Sequence, residues 1–162
     1  MAEYGRGAKA GAMAGVVAGI IEAIGNYALF SFTRDAIKTA LQGTTLPAGV
    51  TIDQVVDIAL YTVAIGAFVG SIIGGAILGI IFSAVYNKYM TGKSLAMRGI
   101  VFGIILWLIG ILLNTGSFSY GSTYVAASII LGLVSSLIYG YLLGHFFTPK
   151  QVTQATPPTS TM

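Results

Sequence analysis

Glu22 is the side chain with the clearest capacity for chemistry, because it sits inside a long apolar stretch with Asn26 one helical turn further on. A carboxyl group at that depth of a membrane-type helix is costly unless it is neutralised or hydrogen-bonded, which makes it a default site candidate. The functional reading is proton or cation handling by Glu22 and Asn26. The plainer reading is a polar pin to a neighbouring helix, through Ser83, Ser135 or Ser136. Asp53 and Asp57 lie four residues apart at a helix start, where carboxylates usually oppose the helix dipole. His145 is the lone histidine and lies beside Phe146 and Phe147 near a helix end, the setting of an interfacial residue. A lone histidine makes a Ser–His–acid triad unpersuasive, the lack of cysteine removes thiolate ligands, and neither a metal-ligand cluster nor a phosphate-binding loop is found. No catalytic residue, metal or cofactor is expected, and no small-molecule substrate is identified.

The elements that must position these residues are helices. The chain of 162 residues is 56% hydrophobic and 8% charged, against roughly 25% charged in ordinary soluble domains. So few polar groups cannot cover a soluble surface, so the surface is expected to meet lipid or further copies of the chain. Four spans are predicted, at about 8–32, 52–89, 95–113 and 123–147. Together they form one all-α, membrane-type four-helix domain over 1–147, followed by a polar Pro/Thr-rich tail over 148–162. The connection over 33–56 has room for a brief amphipathic helix before its turn-forming residues, Gly43, Pro47 and Gly49. Thr51 and Gln54 then have the spacing of a capping box.

All four spans carry small residues at four-residue intervals. These are Gly7, Gly11, Gly15 and Gly19 in the first; Gly66, Gly70 and Gly74 in the second, with Gly75 and Gly79 continuing an adjacent ridge; Gly99 and Gly103 in the third; and Gly132, Ser136, Gly140 and Gly144 in the fourth. Such ridges let helix backbones approach closely, the pattern of a glycine zipper. All twelve glycines outside the adjacent ridge are assigned to helix packing. The paired ridges of the second span leave a surface for a neighbour, so a homo-oligomer is expected.

An internal repeat relates the two halves. KAGAMAGVVAGII at 9–21 aligns without gaps to KSLAMRGIVFGII at 93–105, preserving Lys9/Lys93, Met13/Met97, Gly15/Gly99 and Gly19/Gly103. SIIGG at 71–75 more weakly echoes SIILG at 128–132. The expected architecture is two duplicated hairpins in parallel relation, with the first and third spans running the same way. Glycine-rich duplicated hairpins resemble the proteolipid rotor subunits of V-type ATPases, which carry their ion-binding carboxylate in the second helix of a hairpin. Here 71–89 and 124–147 contain no acidic residue, and Leu106 and Gly110 stand where the repeat would place Glu22 and Asn26. That resemblance ends at its functional residue.

Four spans put both termini on one side, which collects Arg6, Lys9, Lys88, Lys93, Arg98 and Lys150. In a cell membrane this predicts cytoplasmic termini by the positive-inside rule. The same basic face suits anionic lipid, or DNA held without sequence preference. Hydrophobic, cysteine-free, glycine-rich helical chains with a basic face resemble the coat proteins of spindle-shaped archaeal viruses. That resemblance implies a membrane-resident subunit that assembles into a capsid, its basic face lining the DNA-filled lumen of the virion. The leading expectation is a non-catalytic, self-assembling structural protein with itself, lipid and DNA as partners. The alternatives are a small oligomeric channel or transporter using Glu22, and an accessory subunit of a larger membrane complex.

Overall fold

The computed structural model of the chain describes residues 2–89, 92–113 and 122–147. Lys150 and the tail expected over 148–162 lie outside the described residues. Among the described residues all regular structure is helical: α1 is Ala2–Phe32, α2 Arg34–Leu41, α3 Ile52–Tyr89, α4 Leu95–Leu113 and α5 Ser122–Phe146. Four of these, α1, α3, α4 and α5, are long and apolar enough to cross a membrane, as expected of an integral membrane protein. A helix satisfies its backbone hydrogen bonds within itself, which a chain in hydrocarbon requires.

Helix α1 begins several residues before the apolar run, because nothing in AEYGRG stops a helix. Tyr86 at the end of α3 reaches that extension, its hydroxyl donating to Glu3 Oε1 at 3.4 Å. The 38 residues of α3 extend about 57 Å, well beyond a hydrocarbon core of about 30 Å. Its projecting first turns carry α2. There Arg34 pairs with Asp57 at 2.7 Å and Lys38 pairs with Asp53, while Ile37 of α2 and Val56 and Leu60 of α3 are buried. The two aspartates thus serve a solvent-facing ion-pair cluster that docks α2. Such exposed pairs contribute little to stability.

The capping box forms. Thr51 N–H donates to Gln54 Oε1 at 2.9 Å, and Gln54 N–H donates to Thr51 Oγ1 at 3.2 Å. Thr51→Ala should cost about 1 kcal/mol. The loss should appear as faster amide exchange over the first turn of α3, with the membrane-spanning part of the helix unchanged. At the opposite end of α3, Gly92 takes a left-handed φ of 81°, a conformation that side chains disfavour. It reverses the chain, and Ser94 Oγ then accepts from Met97 N–H at the start of α4.

The four long helices stand in the order α3, α1, α5, α4, each packed mainly on its neighbours in that series. Helices α3 and α4 close the series only at one end, through an aromatic cluster. Phe82 lies 5.4 Å from Phe102 and 5.5 Å from Phe147, ring centre to ring centre, and Tyr86 lies 4.8 Å from Phe147. The starts of α1 and α4 and the ends of α3 and α5 meet here, so α1 and α4 point the same way. Away from this cluster α3 and α4 diverge and leave a cleft.

Candidate functional site

Helix packing determines which residues line that cleft. On α1, a methyl group added at Gly7, Gly11 or Gly15 would overlap the backbone carbonyl of Gly79, Gly75 or Ser71 respectively. On α4, a methyl at Gly99 or Gly103 would overlap the carbonyl of Gly140 or Ser136, and on α5 one at Gly144 would overlap that of Leu95. Gly19 is less tight, with Phe68 O 3.1 Å from such a methyl. Gly25, not singled out from the sequence, receives the Leu131 side chain of α5.

Four of the assigned glycines do not make such close approaches within the chain. Gly66, Gly70 and Gly74 are not packing glycines within the chain: nothing lies within 4 Å of an added methyl at any of them. The ladder of α3 that meets α1 is Ser71, Gly75, Gly79 and Ser83, about 100° further round the helix. Helix α4, which would have to cover the other ladder, stands away from it. Gly132 packs more loosely, an added methyl making ordinary contact with Trp107 of α4 at 3.6 Å. It therefore shares no packing position with Gly75, despite the SIIGG and SIILG echo. Trp107 instead ties α4 to α5 by donating from Nε1 to Ile129 O at 3.1 Å.

Glu22 lies at the floor of the cleft, with each carboxyl oxygen met from a different helix. Ser71 Oγ of α3 donates to Oε2 at 2.5 Å, and Ser135 Oγ of α5 donates to Oε1 at 2.8 Å. Asn26 does not join them. Its Nδ2 donates to the backbone oxygen of Glu22 at 2.8 Å, so the two polar residues do not form a paired site. Of the serines expected to hold Glu22, Ser135 does. Ser83 donates instead to Ile80 O at 2.7 Å, and Ser136 lines the cleft. Ser71 was not foreseen, although its four-residue spacing from Gly75 was a legible signal.

The cleft has a volume of about 360 Å³. Gly66, Gly70 and Gly74 form one wall, Leu106 of α4 stands opposite, and Glu22, Ser135 and Tyr139 supply polar atoms between. Tyr139 is buried, and its hydroxyl donates to Gly75 O at 2.8 Å. Among the described residues, no group of His, Cys, Asp or Glu side chains is arranged to hold a metal ion.

Residues 1–157 match a family of unknown function, DUF6789. The chain belongs to this family. No curated protein and no solved structure matches it.

Five basic residues, Arg6, Lys9, Lys88, Lys93 and Arg98, gather at the aromatic end of the bundle, while Arg34 and Lys38 sit in the ion-pair cluster at the start of α3. Arg6, Lys9, Lys88 and Lys93 are exposed. Arg98 is half-buried and turned to the fold: Nε donates to Lys93 O at 2.8 Å, Nη1 donates to Tyr86 O at 3.4 Å, and the guanidinium lies 5.8 Å from the Tyr86 ring centre. It ties the turn between α3 and α4. Exposed His145 stacks on Tyr141 at 6.0 Å.

Proposed function

We propose that the protein is a non-catalytic, membrane-inserted subunit that works by assembling with copies of itself. The open strip of Gly66, Gly70 and Gly74 on α3 carries this reading. Lipid tails gain little from a glycine strip, whereas a helix backbone laid on it gains close dispersion contacts. Glycine-zipper packing is thus the common device inferred within the chain and between chains. The Lys9–Ile21 and Lys93–Ile105 match supports its origin in a duplicated hairpin.

Gly70→Leu tests the reading. Its Cβ enters the strip where nothing lies within 4 Å, so cross-linking in lipid nanodiscs should shift toward monomer with the midpoint of thermal unfolding unchanged or slightly raised. Wild-type protein that is monomeric at all lipid dilutions would sink the proposal.

The coat resemblance offers one specific form of such an assembly, a sheath with Arg6, Lys9, Lys88 and Lys93 facing DNA and termini on that side. Electron microscopy with and without DNA separates this from other assemblies. Discrete oligomers indifferent to DNA count against a coat. A second reading, an ion path, is favoured by the position of Glu22 in a mid-span cleft. It requires proteoliposome flux that collapses in Glu22→Gln.

A further inference from the structure

Glu22 poses a charge problem that the fold leaves open. Its carboxyl group sits in an apolar span, and it forms no ion pair with any described residue. The groups facing it are Ser71 on α3, Ser135 and Tyr139 on α5, Leu106 on α4, and Asn26 on its own helix. None of these carries a charge. Hydroxyl donors reduce the cost of a buried carboxylate but do not cancel its charge. The missing positive charge therefore comes from outside the chain, as a proton or as an ion.

We propose that Glu22, Ser71 and Ser135 form a binding site for one small monovalent cation of about sodium size, reached through the cleft between α3 and α4. The donor set is all oxygen, which suits hard cations and not the softer transition metals. One carboxylate balances one positive charge. A divalent ion would leave a net charge in the span, with no second acid to meet it. Each serine hydroxyl donates its hydrogen to the carboxylate and keeps lone pairs free to face an ion. Two carboxylate and two hydroxyl oxygens from three helices are the ligands the chain offers, and the cleft has room for water to complete the shell. A proton on Glu22 competes for the same place. This site does not depend on self-assembly. Cation binding without proteoliposome flux sustains it while sinking the ion-path reading.

The test uses the full chain purified in detergent, with sodium chloride compared with choline chloride at equal ionic strength. Dicyclohexylcarbodiimide serves as the probe. It reacts with a protonated carboxyl group, the proton passing to a carbodiimide nitrogen as the carboxyl oxygen bonds its central carbon. Mass spectrometry of the Glu22 peptide reads the adduct.

Labelling is expected to fall as sodium rises, and the sodium needed is expected to increase as pH falls, because the proton competes. Ser71→Ala and Ser135→Ala should each raise the half-protecting sodium concentration by about tenfold while leaving labelling intact. Sodium should also raise the unfolding temperature of the wild type through linkage and leave that of Glu22→Gln unchanged. If Glu22→Gln does not fold, the wild-type contrast between sodium and choline decides alone. Labelling that ignores sodium, or a Glu22 that resists the probe at every pH, overturns the proposal.

Discussion

Gly11→Ala is expected to unseat α1 from α3. The added methyl meets the backbone oxygen of Gly75, which cannot rotate away as a side chain can. From the other side of the same contact, a methyl at Gly75 would stand 2.6 Å from Gly11 O and 3.3 Å from the Tyr139 ring. Relief requires the two helices to move apart over their whole interface, so the cost should reach about 3 kcal/mol, the upper range for overpacking. Gly99→Ala should do the same to α4 and α5 by colliding with Gly140 O. Gly66→Ala is the control: its methyl enters open space, and alanine is the better helix former by about 1 kcal/mol. Thermal unfolding in detergent, followed by circular dichroism, should therefore show a large loss for Gly11→Ala and Gly99→Ala and none for Gly66→Ala. Equal effects at all three positions would mean that helix propensity, not backbone contact, governs these glycines.

Phe82→Ala is the second large effect. Phe82 is fully buried and joins α3 to α4 and to the end of α5 through Phe102 and Phe147. In a soluble core such a truncation costs about 3–5 kcal/mol, part of it lost transfer from water. Lipid is as apolar as the core, so within a bilayer the dispersion and cavity terms remain and the transfer term largely vanishes. The expected cost is therefore near the low end, about 3 kcal/mol. The consequence is also directional, since this cluster is where α3 and α4 chiefly meet. Its loss should widen the cleft over Glu22. Spin labels at Ile77 on α3 and Leu108 on α4, both exposed, should move apart in Phe82→Ala; an unchanged distance distribution would show that packing through α1 and α5 holds the two helices without it.

Glu22 shows where reading the chain reaches its limit. That it is costly follows from its neighbours in sequence, and that a serine would hold it follows from chemistry. Which serines do so is a long-range matter, because Ser71 and Ser135 are 49 and 113 residues away. Ser83 offers the same hydroxyl but donates to Ile80 O, and Ser136 lines the same cleft one residue on from Ser135. A shift of one residue along a helix turns a side chain through about 100°, enough to separate Ser135 from Ser136. Asn26 shares a helix face with Glu22, yet its amide is consumed by the backbone one turn earlier, a local bond that competes with any site.

By itself the sequence determined the helical class, the four apolar spans and the capping box at Thr51. Each depends on residues close together in the chain: apolar runs long enough for a bilayer, backbone bonds closed within a helix, and a cap closed within one turn. Only the tertiary structure decided which of two glycine ladders on α3 meets α1, that Gly66, Gly70 and Gly74 stay open, and that Arg98 ties a turn. It also placed Glu22 between two serines at the floor of a cleft. Both ladders on α3 are small residues at four-residue spacing, so local propensity cannot choose between them. The choice falls to the combined packing of α1, α3 and α5, which only the folded bundle expresses.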